Sequence, residues 1–177
     1  MWTRRRRAGF FVGFIVLAAL PAAHAGEVGF ASGGVGFGSQ SLGAVASLNF
    51  SRGRLVYVLR ASTTSEFNLF GPSPDHSDTD YAAMIGKWSG GPRSYLSVAT
   101  GLSVVHSVRR GAMIEAPYWF SGGSYEKLDR VTVGLPVDFK ASFNVGPVGL
   151  GVNMFANLNP KGSFAGLAVT MQLGKLR

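Results

Sequence analysis

The sequence has 177 residues, 25 of them glycine, no cysteine and a formal net charge of +8. Without thiols there is neither a disulfide framework nor a thiolate metal site. The glycine content argues against a helical domain, since each interior glycine costs a helix about 1 kcal/mol relative to alanine.

The chain opens with the three parts of an export signal. Arg4 to Arg7 form a positive n-region, Gly9 to Leu20 an apolar run, and "AHA" (Ala23, His24, Ala25) a small-residue cleavage site. The apolar run is too short for a spanning helix, which needs about 20 residues. Sec-type export with cleavage after Ala25 is expected, so residues 1–25 are the signal peptide and 26–177 a single domain. His24 leaves with the signal. Taking the four arginines from the seventeen basic residues leaves thirteen against nine acidic ones, a surplus of four. That mild surplus, spread over turns and loops, excludes nucleic acid as a partner.

After the signal, the recurring pattern is alternation of period two, the signature of strands. Eight segments carry it. The first is about Val28 to Phe37, rich in glycine. The second, "SLGAVASLNF", sets Leu42, Ala44, Ala46, Leu48 and Phe50 against Gly43, Val45, Ser47 and Asn49. "SRGR" turns into the third, where Leu55, Tyr57, Leu59 and Ala61 oppose Val56, Val58, Arg60 and Ser62. A long polar loop, "SEFNLFGPSPDHSD", precedes the fourth, about Thr79 to Trp88. "SGGPR" leads to the fifth, about Tyr95 to Ser107, and a second long loop is expected over Val108 to Lys127.

The sixth, "RVTVGLPVDFKASF", alternates most clearly. Its apolar face carries Val131, Val133, Leu135, Val137, Phe139, Ala141 and Phe143, and its other face carries Arg130, Asp138 and Lys140. Pro136 lies within it, so a bulge or a break in the ladder is expected there. "NVGP" leads to the seventh, "VGLGVNMFANLNP", with Asn153, Phe155 and Asn157 opposite Val148, Leu150, Val152, Met154 and Leu158. "NPKGS" leads to the eighth, where Ala165, Leu167, Val169, Met171 and Leu173 oppose Phe164, Gly166, Ala168, Thr170 and Gln172.

Tight turns after segments two, four and six, and longer joints after three and five, are the rhythm of an up-and-down membrane barrel. The expected fold is all-β: an eight-stranded antiparallel up-and-down transmembrane barrel with lipid on the apolar face. A soluble sandwich would bury the same face. Small residues such as Ala44, Ala46 and Ala156 on that face, and aromatics near strand ends (Phe50, Tyr57, Tyr81, Trp88, Tyr95, Phe143), favour the barrel. A narrow eight-stranded barrel fills its interior with side chains. Arg60, Arg130, Asp138 and Lys140, with Asn49, Asn153 and Asn157, are therefore expected to form a polar plug, because unpaired buried charge is costly.

On this strand-and-turn pattern, and on the ending "SFAGLAVTMQLGKLR" after "NLNP", the mature chain resembles the small eight-stranded bacterial outer-membrane barrels of OmpA/OmpX type. The resemblance implies an outer-membrane location, contact with lipopolysaccharide, insertion by the barrel assembly machinery and a monomer. It departs from the pattern at its end: many such chains close on an aromatic residue, and this one closes on Lys175-Leu176-Arg177.

Barrels of this kind include lipid A-modifying hydrolases and acyltransferases, which makes each histidine a candidate base. His106 and Ser107 are adjacent and must point to opposite faces of a strand. His76 in "DHSD" has suitable neighbours but lies in a Pro-rich loop, whereas catalysis needs nucleophile and base held within hydrogen-bond reach. No catalytic residue, cofactor or metal is expected. Tyr118, Trp119 and Phe120 in "EAPYWFSGGSY" are expected to form a contact surface in a loop. The expected function is a non-enzymatic structural or surface-interacting barrel. The alternatives are a lipid A-modifying enzyme and a soluble lipocalin-like carrier, the latter needing an apolar lumen.

Overall fold

The structure, a computed structural model, describes residues 28–66, 73–91, 93–116 and 123–175. The signal segment 1–25 and the ring cluster Tyr118, Trp119 and Phe120 lie outside the described residues.

Eight strands follow in chain order: β1 (Val28–Gly38), β2 (Ser41–Arg52), β3 (Leu55–Ser65), β4 (Ser77–Gly90), β5 (Ser94–Glu115), β6 (Ser124–Val145), β7 (Val148–Leu158) and β8 (Phe164–Lys175). Each pairs antiparallel with the next. β8 returns to β1, from Gly29↔Lys175 to Gly38↔Gly166, so the sheet closes into a barrel with no free edge. Closure gives every strand a neighbour on both sides, which removes the edges that otherwise invite aggregation.

One end carries the tight joints. Arg52 pairs with Leu55 and Val145 with Val148; Gly53 and Gly146, both at φ +61°, take the left-handed backbone these turns require. The opposite end carries the long connections after β3 and β5.

The alternation determines which way each side chain points. From Leu42 on in β2, and throughout β3, the burial pattern switches at every residue, with Val45, Ser47, Asn49, Val58, Arg60 and Ser62 inside. The outward face is apolar and exposed: Leu59 is 55% exposed, Leu102 68%, Val133 62% and Leu150 65%. Inside, apolar and polar groups share the volume. Phe155 packs with Val45, Val105, Phe164 and Ala168, while Val56, Val58, Ala82, Met84 and Ala99 form a second cluster against Trp88.

Phe155 fits because Gly166 faces it. A Cβ built on Gly166 would stand 2.3 Å from the ring Cζ. Gly166→Val is expected to destabilise the barrel by about 1–3 kcal/mol through overpacking. Urea midpoints of the two proteins check this, and Phe155→Leu in the valine background should restore part of the loss. A valine variant as stable as the parent rejects this account of the packing.

One expectation needs correction here. The segment Val108 to Lys127 is not simply a loop. β5 and β6 each run 22 residues and carry their pairing past the barrel rim to Met113↔Tyr125 and Glu115↔Ser124, with register shifts between Arg110 and Met113 and between Met113 and Glu115. Charges here sit on adjacent residues (Arg109, Arg110), and the shifts break the period of two, so the extension leaves no alternation to read. At Pro136 the expected break is found, without a bulge: the β5–β6 ladder is interrupted between Thr100↔Val137 and Ser103↔Gly134, and the register is the same on either side. The proline keeps its pairing with Asn157 on β7, and its carbonyl accepts a hydrogen bond from Thr100 Oγ1 at 2.8 Å.

Candidate functional site

The interior holds three polar clusters stacked along the barrel. The central one is built around Arg60 of β3, whose side chain is fully buried. Its Nη2 donates to Asp80 Oδ2 at 2.8 Å and its Nη1 to Asp138 Oδ2 at 3.2 Å, joining β3 to β4 and, across the lumen, to β6. The same guanidinium donates to the carbonyls of Val137 (3.0 Å) and Ala156 (3.4 Å). Asn153 Nδ2 donates to both Asp138 oxygens at 3.0 Å, and Asn157 Nδ2 donates to Asp80 Oδ2 at 2.9 Å and to Ser103 Oγ at 2.6 Å. Ser62 Oγ donates to Asp80 Oδ1. The ring centroid of Phe155 lies 5.7 Å from the Arg60 guanidinium carbon.

Nearer the tight turns, Lys140 Nζ donates to Ser32 Oγ (3.0 Å), Ser47 Oγ (2.6 Å) and Asn49 Oδ1 (3.0 Å), with the Phe30 ring 5.5 Å away. These partners are neutral. Counting both clusters together, Arg60 and Lys140 balance Asp80 and Asp138. That balance is what makes burying four charges tolerable.

Nearer the long connections, Arg109 Nη2 holds Asp78 through both carboxylate oxygens, at 2.8 and 2.9 Å. Ser107 Oγ donates to Asp78 Oδ1 at 2.6 Å and Gln40 Nε2 to Oδ2 at 3.4 Å. Beyond the rim, Arg110 pairs with Glu66 and its Nε donates to the Pro74 carbonyl at 2.9 Å. Partial burial works against the charged form of Glu66. The His76 backbone N–H and the Arg110 guanidinium outweigh it and hold the carboxyl below its usual range.

Of the residues singled out from sequence, Arg60, Asp138, Lys140, Asn49, Asn153 and Asn157 are all buried inside the barrel. Arg130 is a correction. It has inward parity on β6, but it is exposed. β7 pairs with β6 only from Leu135↔Leu158 onward, so no wall stands beside Arg130 on that side.

Asp78 and Asp80 are the residues that sequence reasoning missed. Both are fully buried and hold the two arginine contacts. The expected start of the fourth segment, Thr79, leaves Asp78 in the loop, whereas β4 begins two residues earlier at Ser77. The available signal was parity: Asp78, Asp80, Ala82 and Met84 fall on one face.

The histidines lie apart from this interior. His106 is exposed, with Nε2 3.5 Å from Asp129, whereas its neighbour Ser107 points inward to Asp78. His76 Nδ1 lies 3.4 Å from Glu66. Among the described residues no group of three His, Asp or Glu side chains could hold a metal ion.

Comparison with solved structures identifies the architecture. The N-terminal β-barrel domain of Pseudomonas aeruginosa OprF superposes with a TM-score of 0.56 at 8% identity, covering 84% of this chain and 97% of that one. Neisserial surface protein A (NspA) gives 0.53 at 14% identity, with 83% and 95% covered. Ail, the attachment invasion locus protein of Yersinia pestis, solved in complex with the heparin analogue sucrose octasulfate, gives 0.52 at 11% identity, with 84% and 98% covered. The chain has the fold of the small eight-stranded outer-membrane barrels. No protein-family model and no curated protein sequence matches it. At this identity the likeness extends to the strands and their closure and not to particular side chains.

Proposed function

We propose that the chain is a small, monomeric outer-membrane barrel, exported by the Sec route, inserted by the barrel assembly machinery and surrounded by lipopolysaccharide and phospholipid. Its role in this reading is structural or surface-interacting rather than catalytic, with the lumen closed by the stacked polar clusters.

The observation that carries the reading is the polarity of the wall. The outward face offers water a nearly continuous apolar surface, whereas Arg60, Asp80, Asp138 and Lys140 are buried inside. A soluble protein would lose by that inversion, and a lipid-embedded barrel gains by it. A carrier of apolar ligands would need the opposite interior. The non-enzymatic reading is supported by Ser107, whose hydroxyl donates to a carboxylate already held by Arg109, while His106 points away from it. A surface role is in keeping with NspA and Ail, whose names describe a surface protein and an attachment protein. The β5–β6 hairpin, extending past the rim, is the element placed to make such a contact.

The membrane fraction of cells expressing the gene supplies the test. Unheated protein should migrate differently from boiled protein on a detergent gel, because a closed barrel resists detergent until heated. Recovery in the soluble periplasm, with no shift, overturns the membrane reading. Lipid A mass profiles should be the same with and without the gene; a changed acyl pattern overturns the non-enzymatic part.

A further inference from the structure

At the tight-turn end, a groove of about 670 Å³ runs from the β2–β3 turn over β4 and β5 to β6, its outward lining made by Lys87, Leu96, Val98 and Phe139, with Arg54 on the turn and Trp88 at the rim. Leu96, Val98 and Phe139 give it an apolar side, and Arg54 and Lys87 a cationic edge. Lys87 has outward parity in a register row that reads Arg52, Leu55, Lys87, Val98, Phe139, so its ammonium stands between apolar neighbours on either side. A lysine there extends its stem over the apolar wall and carries its charge to the interface.

Arg54 is held beside it by the backbone and by Trp88. The Trp88 N–H donates to the Arg54 carbonyl at 3.1 Å, and the Trp88 indole Nε1 donates to the Gly53 carbonyl at 2.9 Å. The indole in turn stacks on Tyr95, with centroids 5.7 Å apart and planes within 16°. The turn bearing Arg54 is thus pinned to the strand bearing Lys87. Arg52 and Arg93 add positive charge at the same end. Every described carboxylate lies in the lumen or toward the long-connection end, so none offsets the pair on the outer wall.

Two cations above an apolar trough match one kind of molecule: an anionic headgroup attached to acyl chains. We propose that this groove binds an anionic phospholipid of the periplasmic leaflet, with the headgroup phosphate between Arg54 and Lys87 and an acyl chain along Leu96, Val98 and Phe139. The site rests on the membrane reading above: outer-membrane barrels keep their short turns on the periplasmic side and their longer loops outside, so the tight-turn end lies at the periplasmic leaflet. The lipid would then hold the β2–β3 turn against β4, where Trp88 already does so from within.

The test uses the full mature chain refolded in detergent, with its heat-dependent gel shift recorded first. Native mass spectrometry then follows retention of phosphatidylglycerol against phosphatidylcholine of the same acyl chains. Each cation near an anionic headgroup contributes about 1 kcal/mol, so the pair gives a preference for phosphatidylglycerol of about thirty-fold. Arg54→Gln with Lys87→Gln should bring the two lipids close to parity. Arg54→Lys with Lys87→Arg should keep the preference, as should Arg93→Gln, which lies outside the groove. Equal retention by the parent, or an unchanged preference in the double glutamine variant, overturns the proposal while a normal heat shift leaves the membrane reading standing. Preferential retention of lipid A over phosphatidylglycerol overturns the assignment to the periplasmic leaflet. A chain that never shows the heat shift overturns both readings together.

Discussion

Arg60→Met is expected to destabilise the barrel by about 3–5 kcal/mol, since it strands two buried carboxylates, Asp80 and Asp138, with no cation hydrogen-bonded to either and only Lys140 left to balance them. The cost comes from what remains. With the guanidinium gone, the two carboxylates must be desolvated while sharing only Asn153, Asn157 and Ser62 as donors. The double variant Arg60→Met, Asp80→Asn should recover most of the loss, because one carboxylate, Asp138, then remains against one cation, Lys140, and the buried charges balance again. Urea unfolding followed by loss of the unheated gel mobility compares the three proteins. An Arg60→Met barrel within 1 kcal/mol of the parent would falsify the central role given to this cluster.

The second large effect concerns the outer wall. Leu59 neighbours Arg60 in sequence and points the opposite way, flanked by Leu48 on β2 and Ala83 on β4. It is 55% exposed. In a soluble protein a half-exposed leucine accepts arginine with a change within about 0.5 kcal/mol. Near the middle of a lipid-facing wall the same substitution costs about 2–4 kcal/mol. Leu59→Arg, unfolded with urea in phospholipid vesicles, should fall in the second range. A change within the first range rejects lipid as the medium around this face. The two substitutions sit one residue apart and act through opposite physics, one by emptying an interior of its counter-charge and the other by placing a charge in hydrocarbon.

Strand identity and side-chain direction were largely legible in the sequence, because alternation is a property of neighbouring residues. The opening of β7, "VGLGVNMF", already separates Leu150, Val152 and Met154 from Asn153 and Phe155, and the folded chain keeps that separation. The turn positions were equally readable, since Gly53 and Gly146 mark where the backbone must go left-handed. Elements faded where alternation faded. The outer halves of β5 and β6 carry adjacent charges and register shifts, so their pairing depends on the partner strand and not on a local pattern.

The interior cluster was legible as a set of residue types and illegible as a set of contacts. Arg60 and Asp138 are 78 residues apart, and Lys140 reaches Ser32 across 108. Such pairs arise from barrel closure and from the relative stagger of strands, neither of which any single segment specifies. The same reason exposes Arg130: its parity is right for the lumen, but the neighbouring strand ends before reaching it. It also explains the groove of Arg54 and Lys87, formed where a turn and the next-but-one strand are brought side by side. By itself the sequence determined that this is an alternating eight-stranded wall with one apolar and one mixed face, because periodicity of two is local. Only the tertiary structure decided which charges meet, which carboxylates serve them and where the wall stops, because those depend on the register of strands far apart in the chain.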